Sequence, residues 1–228
     1  WIRQNNLVFN MMAVAERTWR GGAPGDFDDF EARALELKGT RFGGYDIPYV
    51  SQKGCRWAIT QTFDNGGDPS RVFPPESGKP EDWFALEIDG SGAMLRHFSK
   101  NVPVLFDIYR PNSTVYAYTY VHSPKRQEVG LWAETQNYSR SSPDMLPPEG
   151  CWDYKGSEIF LNGKKVPAPK WVGTEDRNDI WGNMNMFERK PEKVTLEKGW
   201  NLILIKLPVP DMDIRPKKKR HQKWMFSC

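Results

Sequence analysis

Two adjacent carboxylate pairs, Glu81-Asp82 and Glu175-Asp176, are the first residues to weigh for chemistry in this chain. Paired acids are what general acid–base hydrolysis requires. Both pairs sit in Pro- or Gly-flanked stretches, which places them in loops. His97, His122 and His221 share no ligand spacing, and no Cys-x-x-Cys run accompanies them. Neither a zinc site nor a nucleophile–His triad is therefore expected, and no cofactor. The three cysteines, Cys55, Cys151 and Cys228, cannot all pair within one chain and are too few for a disulfide framework. Cys151, beside Trp152, is expected as a buried small hydrophobe rather than a nucleophile.

Trp152, Tyr154, Trp171 and Trp181 form a different group. They fall in loops, and flat rings exposed side by side stack on the CH faces of sugars. They are candidate carbohydrate-binding residues. The alternative is that they anchor a core or an interface, the usual work of such rings. Arg215-Pro216-Lys217-Lys218-Lys219-Arg220 is a basic run, but 32 basic residues nearly balance 29 acidic ones. No second basic patch interleaves with aromatics. A solvated loop between the last two strands is expected, not a nucleic-acid partner. No stretch approaches the roughly 20 apolar residues that span a bilayer.

The elements that must hold these groups are of two kinds. Leu7, Met11, Val14 and Thr18 share one helical face, with Val8, Met12, Ala15 and Trp19 beside them. Gly21-Gly22 stops that helix, and Asp26 caps a second. Phe27, Phe30, Ala34 and Leu37 line the second helix, with Asp28, Asp29, Glu31 and Glu36 toward water. Beyond Gly39 the pattern becomes short strands between turns. They are Arg56–Phe63 ended by Asp64-Asn65-Gly66-Gly67, Val115–Val121, Val129–Ala133, and Glu158–Leu161 turning at Asn162-Gly163 toward Lys165-Val166. Val194–Leu196 then turns at Lys198-Gly199 into Asn201–Lys206, and Trp224–Cys228 starts a further strand. Ten Trp, twelve Phe and eight Tyr supply large buried areas to such a fold.

Two segments carry a resemblance. Met11-Met12-Ala13-Val14-Ala15-Glu16-Arg17-Thr18-Trp19-Arg20-Gly21-Gly22 resembles the last helix of the catalytic barrel in family 20 glycoside hydrolases, the β-N-acetylhexosaminidases, in a form similar to gut Bacteroides-type enzymes. Phe63-Asp64-Asn65-Gly66-Gly67 with Phe73-Pro74-Pro75-Glu76 resembles the opening of an accessory domain behind such barrels. Ile159–Lys164 and Leu196-Glu197-Lys198-Gly199-Trp200-Asn201 through Lys206 are similar to the galactose-binding-like jelly roll. The family's Asp-Glu pair, which orients the substrate's acetamido group and protonates the leaving oxygen, follows a His-x-Gly-Gly type sequence. Nothing here reads so, and Glu81-Asp82 and Glu175-Asp176 run in the reverse order.

The resemblance therefore implies a mostly β fold: a jelly-roll β-sandwich over 41–228, ending in an unfinished last strand, preceded over 1–40 by an α-helical hairpin left from the end of a TIM barrel. Glu16 and Arg17 are expected in a structural ion pair or an interface, because barrel chemistry lives on loops. No catalytic residue is expected here. The implied role is a non-catalytic carboxy-terminal accessory region of a hydrolase that removes terminal N-acetylhexosamine. The alternatives are an independent carbohydrate-binding module or a protein-interaction domain. The implied partners are the missing barrel, a glycan, and a second copy through the bared face of the first helix. The implied location is periplasmic or at the cell surface.

Overall fold

The computed structural model describes residues 7–21, 25–41, 54–96, 110–135, 150–153, 155–169, 191–209 and 224–228. The chain divides into two units, Trp1–Lys53 and Gly54–Cys228.

In the first unit, α1 spans Leu7–Arg20 and α2 spans Phe27–Arg41. The start and stop signals act as expected. Gly21 takes φ 62° while its N–H bonds Arg17 O at 3.1 Å. The Asp26 carboxylate accepts the Asp28 N–H at 2.8 Å, which satisfies an N–H that the helix itself cannot. Glu16 pairs with Arg33 across the hairpin, at 2.7 and 2.9 Å. Arg33 also holds Asp29 at 2.7 Å. One expectation is corrected. Glu31 is buried, not in water. It lies four residues after Phe27 and three before Ala34, so helical geometry puts it on the apolar stripe. Met11, Val14 and Trp19 of α1 are exposed.

The second unit is mostly β, and the pairings among its described residues are antiparallel. Its strands are β1 Arg56–Thr60, β2 Phe63–Asp64, β3 Phe84–Asp89, β4 Gly92–Arg96, β5 Ser113–Ser123, β6 Gln127–Leu131, β7 Glu158–Leu161, β8 Lys164–Lys165, β9 Glu192–Leu196, β10 Gly199–Val209 and β11 Trp224–Ser227. Seven strands form one sheet, ordered β3-β1-β5-β10-β7-β8 with β2 also on β5. The pairs β11-β4 and β6-β9 form two smaller sheets. Val115 and Ala117 of β5 and Ile203, Ile205 and Leu207 of β10 face one shared core with Leu95, Leu196, Trp224 and Phe226 from the smaller sheets. This is consistent with a β-sandwich.

Two strand expectations change. The run 56–63 is broken: pairing slips between Ile59 and Thr60, and the Gln61 N–H turns to Trp83 O. The strand expected over 129–133 begins and ends two residues earlier. The two strands around the Lys198-Gly199 turn stand as expected, and they part there, β9 pairing with β6 while β10 pairs with β5 and β7. The Asn162-Gly163 turn stands as expected, with φ 49° and 76° joining β7 to β8. Two consecutive positive φ values are the mark of the tight hairpin turn that Asn-Gly favours.

Candidate functional site

Alternation along β5 and β10 builds the outer face of the large sheet. Tyr116, Tyr118, Tyr120 and His122 stand opposite Lys206, Leu204, Leu202 and Trp200 in strict register. Residues 64–83 fold over one end of this face. Phe73 stacks on Phe63 at 5.0 Å and joins Tyr116, Tyr118, Phe160 and Leu204 in a second apolar cluster.

The other end stays open. Trp200 is 70% exposed and Tyr120 41%. The His122 ring stands edge-on to the Trp200 indole at 5.1 Å. Tyr120 lies 6.5 Å from the Tyr118 ring, and its hydroxyl donates to Glu81. Burial and that carboxylate push the Tyr120 hydroxyl well above the ordinary phenol range. It stays a neutral donor at physiological pH. The result is a flat ring, an imidazole and a carboxylate–phenol pair along one strip. Such a strip can stack on an apolar CH face and exchange hydrogen bonds with hydroxyl groups.

A polar groove of about 550 Å³ lies near the start of β5, lined by Gln61, Thr62, Asp64, Arg110 and Ser113 among others. It brings no two carboxylates together.

The carboxylates of the described residues are largely committed elsewhere. Glu76 holds Lys206, and Glu81, in a 3-10 turn over Pro80–Trp83, accepts from Tyr120. Asp153 is buried and accepts from Lys155 N at 2.7 Å, Ser157 N at 3.1 Å and Ser157 Oγ at 2.7 Å. Burial would raise its carboxyl, but the Lys155 ammonium at 2.9 Å and these bonds outweigh burial and hold it below the usual range. A depressed folded value gives stability that is full above the unfolded value, about 3.9, and is lost as pH falls through the folded one. Asp153→Asn is therefore expected to cost about 2 kcal/mol near neutrality and much less in acid. Urea unfolding at several pH values reads this. An equal cost at both ends would mean that the charge contributes nothing.

Of the expected sugar-binding rings, Trp152 alone lies among the described residues. It is 4% exposed, within the core, and its Nε1–H donates to Val166 O at 3.3 Å. A ring so enclosed offers no face to a sugar, which corrects that expectation in favour of an anchor. Tyr154, Trp171 and Trp181 lie outside the described residues, as do His97, His221, Glu175, Asp176 and the basic run 215–220. Cys151 is exposed, not buried. The chain bends at Trp152, and the indole rather than the thiol enters the core. Among the described residues no group of three or more His, Cys, Asp or Glu could hold a metal, and no helix is long and apolar enough to cross a membrane.

Sequence reading missed the strip of Tyr120, His122 and Trp200. The signal was present in the alternation of Tyr116, Tyr118, Tyr120 and His122, but only the β5–β10 register brings Trp200 beside it. The chain matches no family model, no curated protein and no solved structure.

Proposed function

We propose that this chain is a non-catalytic accessory region of a β-N-acetylhexosaminidase-like glycoside hydrolase, with a galactose-binding-like jelly roll that contacts carbohydrate through its open sheet face. The observation that carries the carbohydrate contact is the exposed Trp200 indole set against His122, beside the Tyr120–Glu81 pair. Each polar group there has hydrogen-bonding capacity to spare, and the indole offers an apolar plane at no cost in burial. The catalytic residues would lie in a barrel. The exposed Met11, Val14 and Trp19 of α1 support a helix whose native neighbour is that barrel. The periplasm or cell surface is the compartment this reading implies.

Two measurements test it. The chain is expected to release no chromophore from a chromogenic N-acetylglucosaminide. Release that disappears when one of its own carboxylates is substituted would overturn the non-catalytic reading. On a glycan array the chain is expected to retain N-acetylhexosamine-terminated glycans weakly, and Trp200→Ala to weaken retention about tenfold, the worth of one stacked ring. Trp200 is exposed, so its loss should leave the melting temperature nearly unchanged. No retention, or equal retention by Trp200→Ala, would remove the sugar-contacting role.

A further inference from the structure

Cys55 and Cys228 are far apart in sequence and adjacent in the fold. Cys55 immediately precedes β1, and Cys228 immediately follows β11. On β1, Trp57 and Ile59 point into the core; on β11, Trp224 and Phe226 do. Side chains two apart in a strand share a face, so Cys55 and Cys228 extend these two inward rows. The preceding members of the rows already touch: the rings of Trp57 and Phe226 meet edge-on at 5.0 Å.

The backbone brings the next members together as well. The turn between β3 and β4 holds one cysteine on each side. The Gly90 N–H bonds Cys55 O at 2.8 Å, and the Cys228 N–H bonds Ser91 O at 2.7 Å. Gly90 and Ser91 are consecutive, so their Cα atoms lie about 3.8 Å apart. The approach of β11 to this turn is close. A Cβ on Gly92 would lie 2.3 Å from Phe226 O, so no larger residue fits without a shift of backbone. Burial pushes the Cys228 thiol up to about 12, and the neighbouring Cys55 thiol adds to that rise. Cys151 is exposed and belongs to a different segment, just before Trp152.

We propose that Cys55 and Cys228 are a dithiol built to close into a disulfide that ties the last strand to the main sheet. The oxidant is a small-molecule disulfide, RS–SR. One cysteine loses its proton and attacks RS–SR, forming a mixed disulfide and expelling one thiolate. The second cysteine then loses its proton, attacks the protein sulfur of that mixed disulfide and expels the other. Two electrons and two protons pass from the protein to two RSH, and one S–S bond forms for the one broken. The raised Cys228 thiol slows its step, because less of it is thiolate at a given pH.

The test uses the whole chain equilibrated with oxidised and reduced glutathione at about pH 8, where ordinary thiols are partly ionised. The mixture is quenched with an alkylating reagent, denatured and mapped by mass spectrometry. The expected result is one cross-linked pair of peptides, carrying Cys55 and Cys228 and lighter by two hydrogens, with Cys151 alkylated. The same link is expected in Cys151→Ser. Excess dithiothreitol should lower Tm by roughly 5–10 °C, and Cys55→Ser should abolish that response. Three alkylated cysteines under oxidising conditions, a link through Cys151, or a glutathione adduct that never resolves would each overturn the proposal.

Discussion

Glu76→Ala is expected to destabilise the β-rich unit by about 3–5 kcal/mol, because it strands a positive charge under a sealed loop. Lys206 projects from β10 onto the outer sheet face, and its side chain is 1% exposed. Its ammonium reaches Glu76 Oε1 at 2.9 Å, Arg71 O at 2.8 Å and Ser70 O at 3.4 Å. All three donors of the ammonium are thus spent inside the protein. The Tyr116 hydroxyl donates to the same Glu76 oxygen at 2.5 Å. Taking the carboxylate away leaves the lysine with two carbonyl dipoles and no counter-charge. Glu76→Gln keeps an oxygen in place and loses only the charge, so it should cost less than Glu76→Ala. Glu76→Leu combined with Lys206→Met should recover much of the loss, since well-packed apolar residues can replace a buried ion pair. Urea denaturation gives all three values. A cost below about 1 kcal/mol for Glu76→Ala would show that water reaches Lys206 and that residues 70–76 do not seal the face.

What could be read from the sequence follows a physical line. Features set by neighbouring residues were legible. Asp26 capping α2, Gly21 ending α1 and the Asn162-Gly163 turn each depend on a few adjacent backbone groups. β5 was legible because Tyr, Val and Thr alternate along it. β3 was not, because Phe-Ala-Leu-Glu-Ile-Asp mixes strand and helix formers and only its pairing with β1 decides the matter. The break in 56–63 arises where Gln61 leaves the ladder for Trp83 O, a partner that no local pattern announces. The candidate site fails for the same reason. Trp200 and His122 meet through a register set by eleven paired residues of two long strands. A loop position predicts exposure for Trp152, yet its chain segment folds inward so that the indole completes the core.

Lys206 is the last residue of a run, Leu-x-x-Gly-x-Asn-x-x-x-x-Lys, whose other buried polar member is Asn201. Asn201→Ala is expected to cost about 3–4 kcal/mol, because one small amide serves three pieces of chain. Asn201 is fully buried. Its Oδ1 accepts from Glu197 N and from Asn162 Nδ2, each at 2.8 Å. Its Nδ2 donates to Glu197 O at 2.8 Å, to Gly199 O at 3.0 Å and more weakly to Val121 O at 3.4 Å. It thereby shapes the corner where the chain leaves β9 for the large sheet and ties that corner to β5 and to the β7–β8 turn. Asn162 passes the tie on, since its Oδ1 accepts the Leu202 N–H at 2.9 Å. Alanine removes both donor and acceptor, and the backbone groups at Glu197 and Gly199 lose partners that water reaches only in part. Asn201→Asp separates the two halves of this work. A carboxylate still accepts from Glu197 and Asn162 but turns its second oxygen on the carbonyls of Glu197 and Gly199. That repulsion and burial raise the acid's folded value above about 3.9, so its cost should be large at neutral pH and shrink as pH falls and the carboxyl becomes a donor. Urea unfolding of both variants across pH gives the comparison. If Asn201→Asp is as stable as the parent at pH 7, the Nδ2 bonds are not what holds the corner.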